Sequence, residues 1–129
     1  MKALIIGLGS MGKRRIRNLH ALGYREIYAY DPREDRRLQA SELYKVTPVS
    51  SVNEAFDAPI SPDIVIVSTP PDHHLEYAMM AVRAGKHVFI EASAIDDGLR
   101  NLGELQKKHP VVIAPSCTMR FHPAVKSIK

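Results

Sequence analysis

Short apolar runs alternate with longer amphipathic stretches along almost the whole chain. Lys2–Ile6 predicts a first strand. Ile16, Leu19 and Leu22 then repeat at helical spacing, which predicts a helix over Ser10–Leu22, with Gly23 as its stop. Glu26–Tyr30 predicts a second strand. A charged helix is expected from Asp31-Pro32 to Leu43, with Pro32 in its first turn. A third strand is expected near Tyr44–Val49 and a short helix over Val52–Phe56, before the loop Ala58–Pro62. Asp63–Ser68 is apolar on both faces at its centre and rich in β-branched residues, as a central parallel strand should be. On the next helix Leu75, Ala78, Met79 and Val82 form one apolar stripe, and Gly85 ends it. Lys86–Ile90 predicts a fifth strand, Ile95–Lys108 a helix, and Val111–Ala114 a sixth strand after Pro110. Pro123–Lys129 reads as the start of another helix.

Strands and helices alternating at this spacing predict an α/β fold built on a doubly wound parallel sheet, with strand order 3-2-1-4-5-6. Ligands of such sheets bind at the carboxyl ends of strands one and four, where the order reverses. Gly7 follows the first of these strands and Thr69-Pro70-Pro71 the second.

Gly7-Leu8-Gly9-Ser10-Met11-Gly12 sits directly behind strand one and opens the first helix, and Asp31, 24 residues after Gly7, closes strand two. A G-x-G-x-x-G run alone is a weak signal; in this strand–helix–strand–acid order it predicts a Rossmann-type dinucleotide site. The first glycine permits the tight turn, the second lets backbone approach a pyrophosphate, and the third lets helix and strand pack closely. Ser10 and Met11 lie at the helix N-terminus, where free N–H groups and the helix dipole favour an anion. Asp31 is expected to accept hydrogen bonds from the adenosine ribose. Its charge disfavours a 2′-phosphate, so NAD is expected ahead of NADP. Arg33 is a candidate for a 2′-phosphate or for stacking on adenine, whereas Arg36 and Arg37 read as a solvated helix face.

Thr69 and Pro70 open the loop after strand four, and with His74 they are candidates for cofactor contacts. A surface role for His73, and a capping role for Asp72, are expected. The adjacent histidines do not suit a metal site, because neighbouring helical side chains diverge and no third ligand follows at zinc-like spacing. Glu91, after strand five, either orients a cofactor ribose or caps the next helix.

A chain of 129 residues, 45% hydrophobic and 25% charged, supports one soluble globular domain rather than a disordered segment. No apolar run approaches the ~18–20 residues of a membrane span, and no secretory signal is visible at the N-terminus. The single cysteine, Cys117, excludes an internal disulfide, fits a cytoplasmic setting and reads as structural. Net charge is +4, concentrated in part in Lys13-Arg14-Arg15-Ile16-Arg17. Without interleaved aromatics this run reads as a solvated helix face rather than a nucleic-acid patch.

Together these motifs resemble the N-terminal domain of the glucose-fructose oxidoreductase / inositol dehydrogenase / MocA family. The resemblance covers essentially the whole chain. It rests on Gly7–Gly12, Asp31, Val67–His74, Ala84-Gly85-Lys86-His87-Val88-Phe89-Ile90-Glu91 and Arg120-Phe121-His122-Pro123. It implies a nicotinamide cofactor, sugar- or polyol-like substrates, and a second, sheet-rich domain that binds them. Residues 1–119 are then the dinucleotide-binding domain, and 120–129 the start of the connection to the substrate domain. A homo-oligomer stays open.

Two departures stand out. The family's Glu-Lys-Pro is here Glu91-Ala92-Ser93, so the lysine that bonds substrate and assists proton transfer is replaced by a methyl group. The proline, often cis in the family, is Ser93. The second departure is length: the sequence ends soon after Arg120-Phe121-His122-Pro123, where the family's substrate domain, with its other catalytic residue, is expected to begin. No catalytic residue is therefore assigned, and the isolated chain is expected not to turn over. A stand-alone module that senses NAD or another nucleotide without chemistry is the alternative.

Overall fold

The computed structural model describes residues 1–92, 98–117, 123 and 127. Six strands, β1 (Ala3–Ile6), β2 (Ile27–Tyr30), β3 (Thr47–Pro48), β4 (Ile64–Val67), β5 (His87–Ile90) and β6 (Ile113–Pro115), form one sheet. The order is β3-β2-β1-β4-β5-β6 and every pairing is parallel, as the strand–helix alternation predicts.

The central strand explains the layering. All four residues of β1 are buried. Its side chains alternate between the two faces of the sheet. Leu4 and Ile6 join Val65, Val67 and Val88 in one core. That core is closed by α3 (Val52–Phe56), α4 (His74–Arg83) and α5 (Leu99–Lys108), which contribute Ala55, Val82 and Leu102 among others. Ala3 and Ile5 face a second core with Ile16 and Leu19 of α1 (Ser10–Ala21) and Ala40 of α2 (Glu34–Tyr44). The helices thus change faces between the two halves of the chain. That change leaves a crevice at the carboxyl ends of β1 and β4.

Several boundaries differ from expectation. Pro32 lies outside α2, which begins at Glu34 behind an extended Arg33. Lys45 ends α2 in the left-handed conformation (φ 56°), so β3 is confined to Thr47–Pro48 at the sheet edge. β6 is displaced to Ile113–Pro115, and His87 Nδ1 accepts the Val112 amide at 3.0 Å. Asp72 makes no cap to α4: it sits in a single 3-10 turn, Pro71–His73, ahead of the helix. Cys117 is exposed rather than packed.

Ser93, with its expected departure from a cis proline, lies outside the described residues. So do Arg120, Phe121 and His122, the first residues expected of helix Ile95–Lys108, and most of the helix expected over Pro123–Lys129. No helix among the described residues is long and apolar enough to cross a membrane.

Candidate dinucleotide site

The glycine run meets three different demands. Gly7 has φ +92°, and a Cβ there would lie 2.7 Å from the Ser68 carbonyl group at the end of β4. Only glycine combines that backbone angle with so close an approach. A Cβ on Gly12 would fall 1.8 Å from the Gly7 carbonyl oxygen, so this glycine lets α1 start against β1. Gly9 is the opposite case. Nothing lies within 4 Å of where its Cβ would be, so the fold itself does not need glycine there.

Gly9 also caps α1 without a side-chain hydrogen bond, and the first turn carries no acid. The free amides at this helix start therefore face no competing carboxylate. Gly7, Gly9, Ser10 and Met11 line a cavity of about 570 Å³ that also takes in Asp31, Arg33, Thr69 and Pro70. The structure thus brings eight of the residues expected from sequence to one place.

Asp31 is 2% exposed, yet it borders this cavity. Its Oδ2 accepts the Leu8 amide at 2.8 Å and its Oδ1 the Arg33 amide at 3.0 Å. Each carboxylate oxygen has two acceptor positions; Arg36 Nη1, at 3.4 Å, takes the second on Oδ2, so the capacity left for a ribose hydroxyl lies on Oδ1. Arg33 turns its guanidinium onto Asp35, at 3.1 and 2.6 Å, and that carboxylate raises its pKa. Arg36 and Arg37 are not simply solvated. Arg36 borders the cavity, 3.4 Å from Asp31 Oδ2, and Arg37 donates to the Asp31 carbonyl at 2.7 Å.

Three of the expected residues stand off the cavity wall. Gly12 acts through packing. His74 is 1% exposed and bonds the Thr69 carbonyl through Nε2 at 2.7 Å. A carbonyl only accepts, so Nε2 carries the proton, and Nδ1 is buried without a described partner. His74 thereby fixes the turn after β4. Glu91 is held by Arg15, through Nε at 2.5 Å and Nη2 at 2.8 Å.

Sequence reasoning missed three features. Arg15 is not on a solvated face: it pairs with Glu91 and its guanidinium carbon lies 4.9 Å from the centre of the Phe89 ring. Its neighbours in the basic run, Lys13 and Arg17, bond Gln39 and Tyr44. Tyr77 and Glu76 of α4, with the exposed His73 before them, also border the cavity. Tyr77 packs edge-on against Tyr30, 6.3 Å between ring centres, and burial pushes its phenol pKa up. The α4 stripe of apolar residues hid them, because it marks only the buried face. Among the described residues no three His, Cys, Asp or Glu side chains group together as metal ligands.

The sequence matches the oxidoreductase family with an NAD-binding Rossmann fold over residues 1–113. The chain belongs to the glucose-fructose oxidoreductase / inositol dehydrogenase / MocA family. None of the curated proteins matches it. Among solved structures, the WlbA dehydrogenase of Bordetella pertussis, in complex with NADH and UDP-GlcNAcA, superposes with a TM-score of 0.88 at 20% identity, over 97% of this chain and 39% of that one. A probable dehydrogenase from Thermotoga maritima gives 0.86 at 26% identity, over 95% and 38%. The myo-inositol 2-dehydrogenase of Lactobacillus plantarum gives 0.81 at 25% identity, over 93% and 37%. The chain therefore spans less than two fifths of the length of each.

The residues present fit the family's cofactor. Gly9 leaves an unfilled cradle beside the free helix N-terminus, Asp31 supplies acceptors, and Thr69 Oγ1 in the cavity wall is buried without a described partner. A dinucleotide offers a pyrophosphate to the first and hydroxyls to the others.

Proposed function

We propose that this chain is the cofactor-binding domain of an NAD-dependent dehydrogenase that acts on a sugar- or polyol-like substrate held by a second domain. One observation carries the reading: a single cavity is lined both by Gly9, whose missing side chain opens the helix start, and by Asp31, the acid that closes β2. When bound, the nicotinamide supplies the hydride acceptor or donor. The chain's own residues bind and orient. Ser10 and Met11 amides receive the pyrophosphate, Asp31 receives the adenosine ribose, and Thr69 and Pro70 border the passage towards β4. Arg33 and Arg36 line the same cavity beside Asp31. Asp31 nevertheless sets the preference for NAD, because a 2′-phosphate would meet a charge already committed to the loop.

The substrate class follows the relatives that bind a nucleotide sugar or act on inositol. Ala92 cannot move a proton, and both oxygens of Glu91 are engaged by Arg15. On this reading the proton-transferring group comes from the substrate domain, and the chain alone does not catalyse. Ala92 equally favours a second reading, a nucleotide-sensing module without chemistry.

Following NADH absorbance against a panel of sugars and polyols tests this. The 129-residue chain should bind NADH and show no turnover, and a version extended by a substrate domain should turn over. Robust, mutation-sensitive turnover by the 129-residue chain would overturn the division of labour. An extended chain that binds NADH but remains inert across the panel would favour the sensing module.

A further inference from the structure

Arg15 and Glu91 are separated by 76 residues in sequence and joined by two parallel hydrogen bonds. Glu91 is the residue after β5 and is 8% exposed. The Ser68 hydroxyl, just past β4, donates to Glu91 Oε1 at 3.4 Å. Phe89 of β5 lies under the guanidinium, 4.9 Å from ring centre to its carbon. Glu91 thus joins α1 to the carboxyl ends of both β4 and β5.

Stability alone gives a poor reason for this pair. A buried ion pair often contributes no more than apolar side chains of the same volume, because both charges lose water. What a two-pronged pair does provide is geometry, since the planar fork allows few orientations of the carboxylate. The location gives that geometry a use. A doubly wound sheet consists of two mononucleotide-binding halves. Asp31, after β2, belongs to the adenosine half. The ends of β4 and β5 belong to the other, and Glu91 leads directly to Ala92.

From this juxtaposition we infer that Arg15 is a positioning residue for the nicotinamide half of the cofactor, an assignment that rests on the dinucleotide reading above. Through Glu91 it fixes Ser68, which borders the cavity, and the exit of β5, where the nicotinamide riboside seats. Arg15 acts through Glu91 rather than on the reacting atoms. Held on both oxygens, the Glu91 carboxylate has one orientation.

The test compares NADH with ADP-ribose, which lacks the nicotinamide, by calorimetric titration of the full chain. Arg15→Met removes the charge at similar length. Arg15→Met/Glu91→Met replaces the whole pair with apolar side chains and keeps the test open if the single variant fails to fold. Loss of the fixed carboxylate should weaken NADH binding about tenfold, while ADP-ribose binding stays within about twofold. The blue shift of NADH fluorescence on binding should shrink with the affinity. Unchanged NADH affinity in the double variant would overturn the assignment. So would an equal loss of NADH and ADP-ribose, since a merely structural pair would affect both halves. If the unmodified chain binds neither molecule, the dinucleotide reading itself falls, which is a distinct result.

Discussion

Asp31 Oδ2 accepts the backbone N–H of Leu8 at 2.8 Å, so the acid after β2 holds the glycine turn after β1. Both groups are buried. The ribose-binding candidate is therefore also part of the loop's framework, and its replacement has two effects that differ with the substituent.

Asp31→Ala leaves the Leu8 amide without its acceptor, which should cost about 1–3 kcal/mol of stability as well as cofactor affinity. Asp31→Asn retains an acceptor oxygen and removes the charge. One of the Leu8 and Arg33 amides then faces an NH2 group, so it should lose less stability than alanine but not fold as well as the unmodified chain, bind NADH more weakly and narrow the preference over NADPH. Thermal melts beside titrations of both cofactors separate the two effects. Equal, unimpaired NADH binding by the two variants would remove Asp31 from the site.

Gly9→Val tests the cradle. With nothing within 4 Å of the new Cβ and an ordinary backbone angle (φ −70°), the fold should accept valine. The side chain then occupies the space in front of the helix start. The melting temperature should hold and NADH binding should be lost. A variant that retains the affinity of the unmodified chain places the pyrophosphate elsewhere.

Gly12→Ala should do the reverse. Its Cβ would meet the Gly7 carbonyl oxygen at 1.8 Å, a backbone contact that cannot yield cheaply. Overpacking of this kind costs about 1–3 kcal/mol or more, and a denaturant midpoint shift measures it. A midpoint equal to that of the unmodified chain would show that α1 does not rest on β1 as closely as described.

These contrasts show what was legible in the sequence. The glycine run and Asp31 could be read because each answers a local demand, a turn, a close approach or a strand end. β4 was legible for the same reason, since a run buried on both faces needs no partner to be recognised. The edges were harder. β3 is two residues long because Lys45 ends α2 and the strand has a neighbour on one side only. The Arg15–Glu91 pair was invisible, since a cation in a basic run shows nothing of a carboxylate 76 residues away. His74 was expected in the loop after strand four; it is instead the first residue of α4, and only the fold shows that its ring turns back to the Thr69 carbonyl.

The start of α3 gives a dependence on pH. Glu54 accepts from the Ser50 amide at 3.1 Å and the Ser50 hydroxyl at 2.6 Å, and the hydroxyl chiefly holds its pKa below the ordinary carboxylate value. The folded value lies below the unfolded one, so this contribution is present at neutral pH and is lost as pH falls through the folded value. Glu54→Gln should flatten the fall in melting temperature slightly between about pH 6 and pH 3, the effect being small at an exposed site. Superimposable profiles would show that Glu54 contributes nothing to acid sensitivity.

The central claim is that the cavity between the glycine turn and Asp31 holds NAD. Calorimetric titration of NADH and NADPH into the unmodified chain at physiological salt addresses it directly. Binding of NADH at one site, tighter than NADPH, is the predicted result. Tighter binding of NADPH, or heat from neither cofactor, would contradict it.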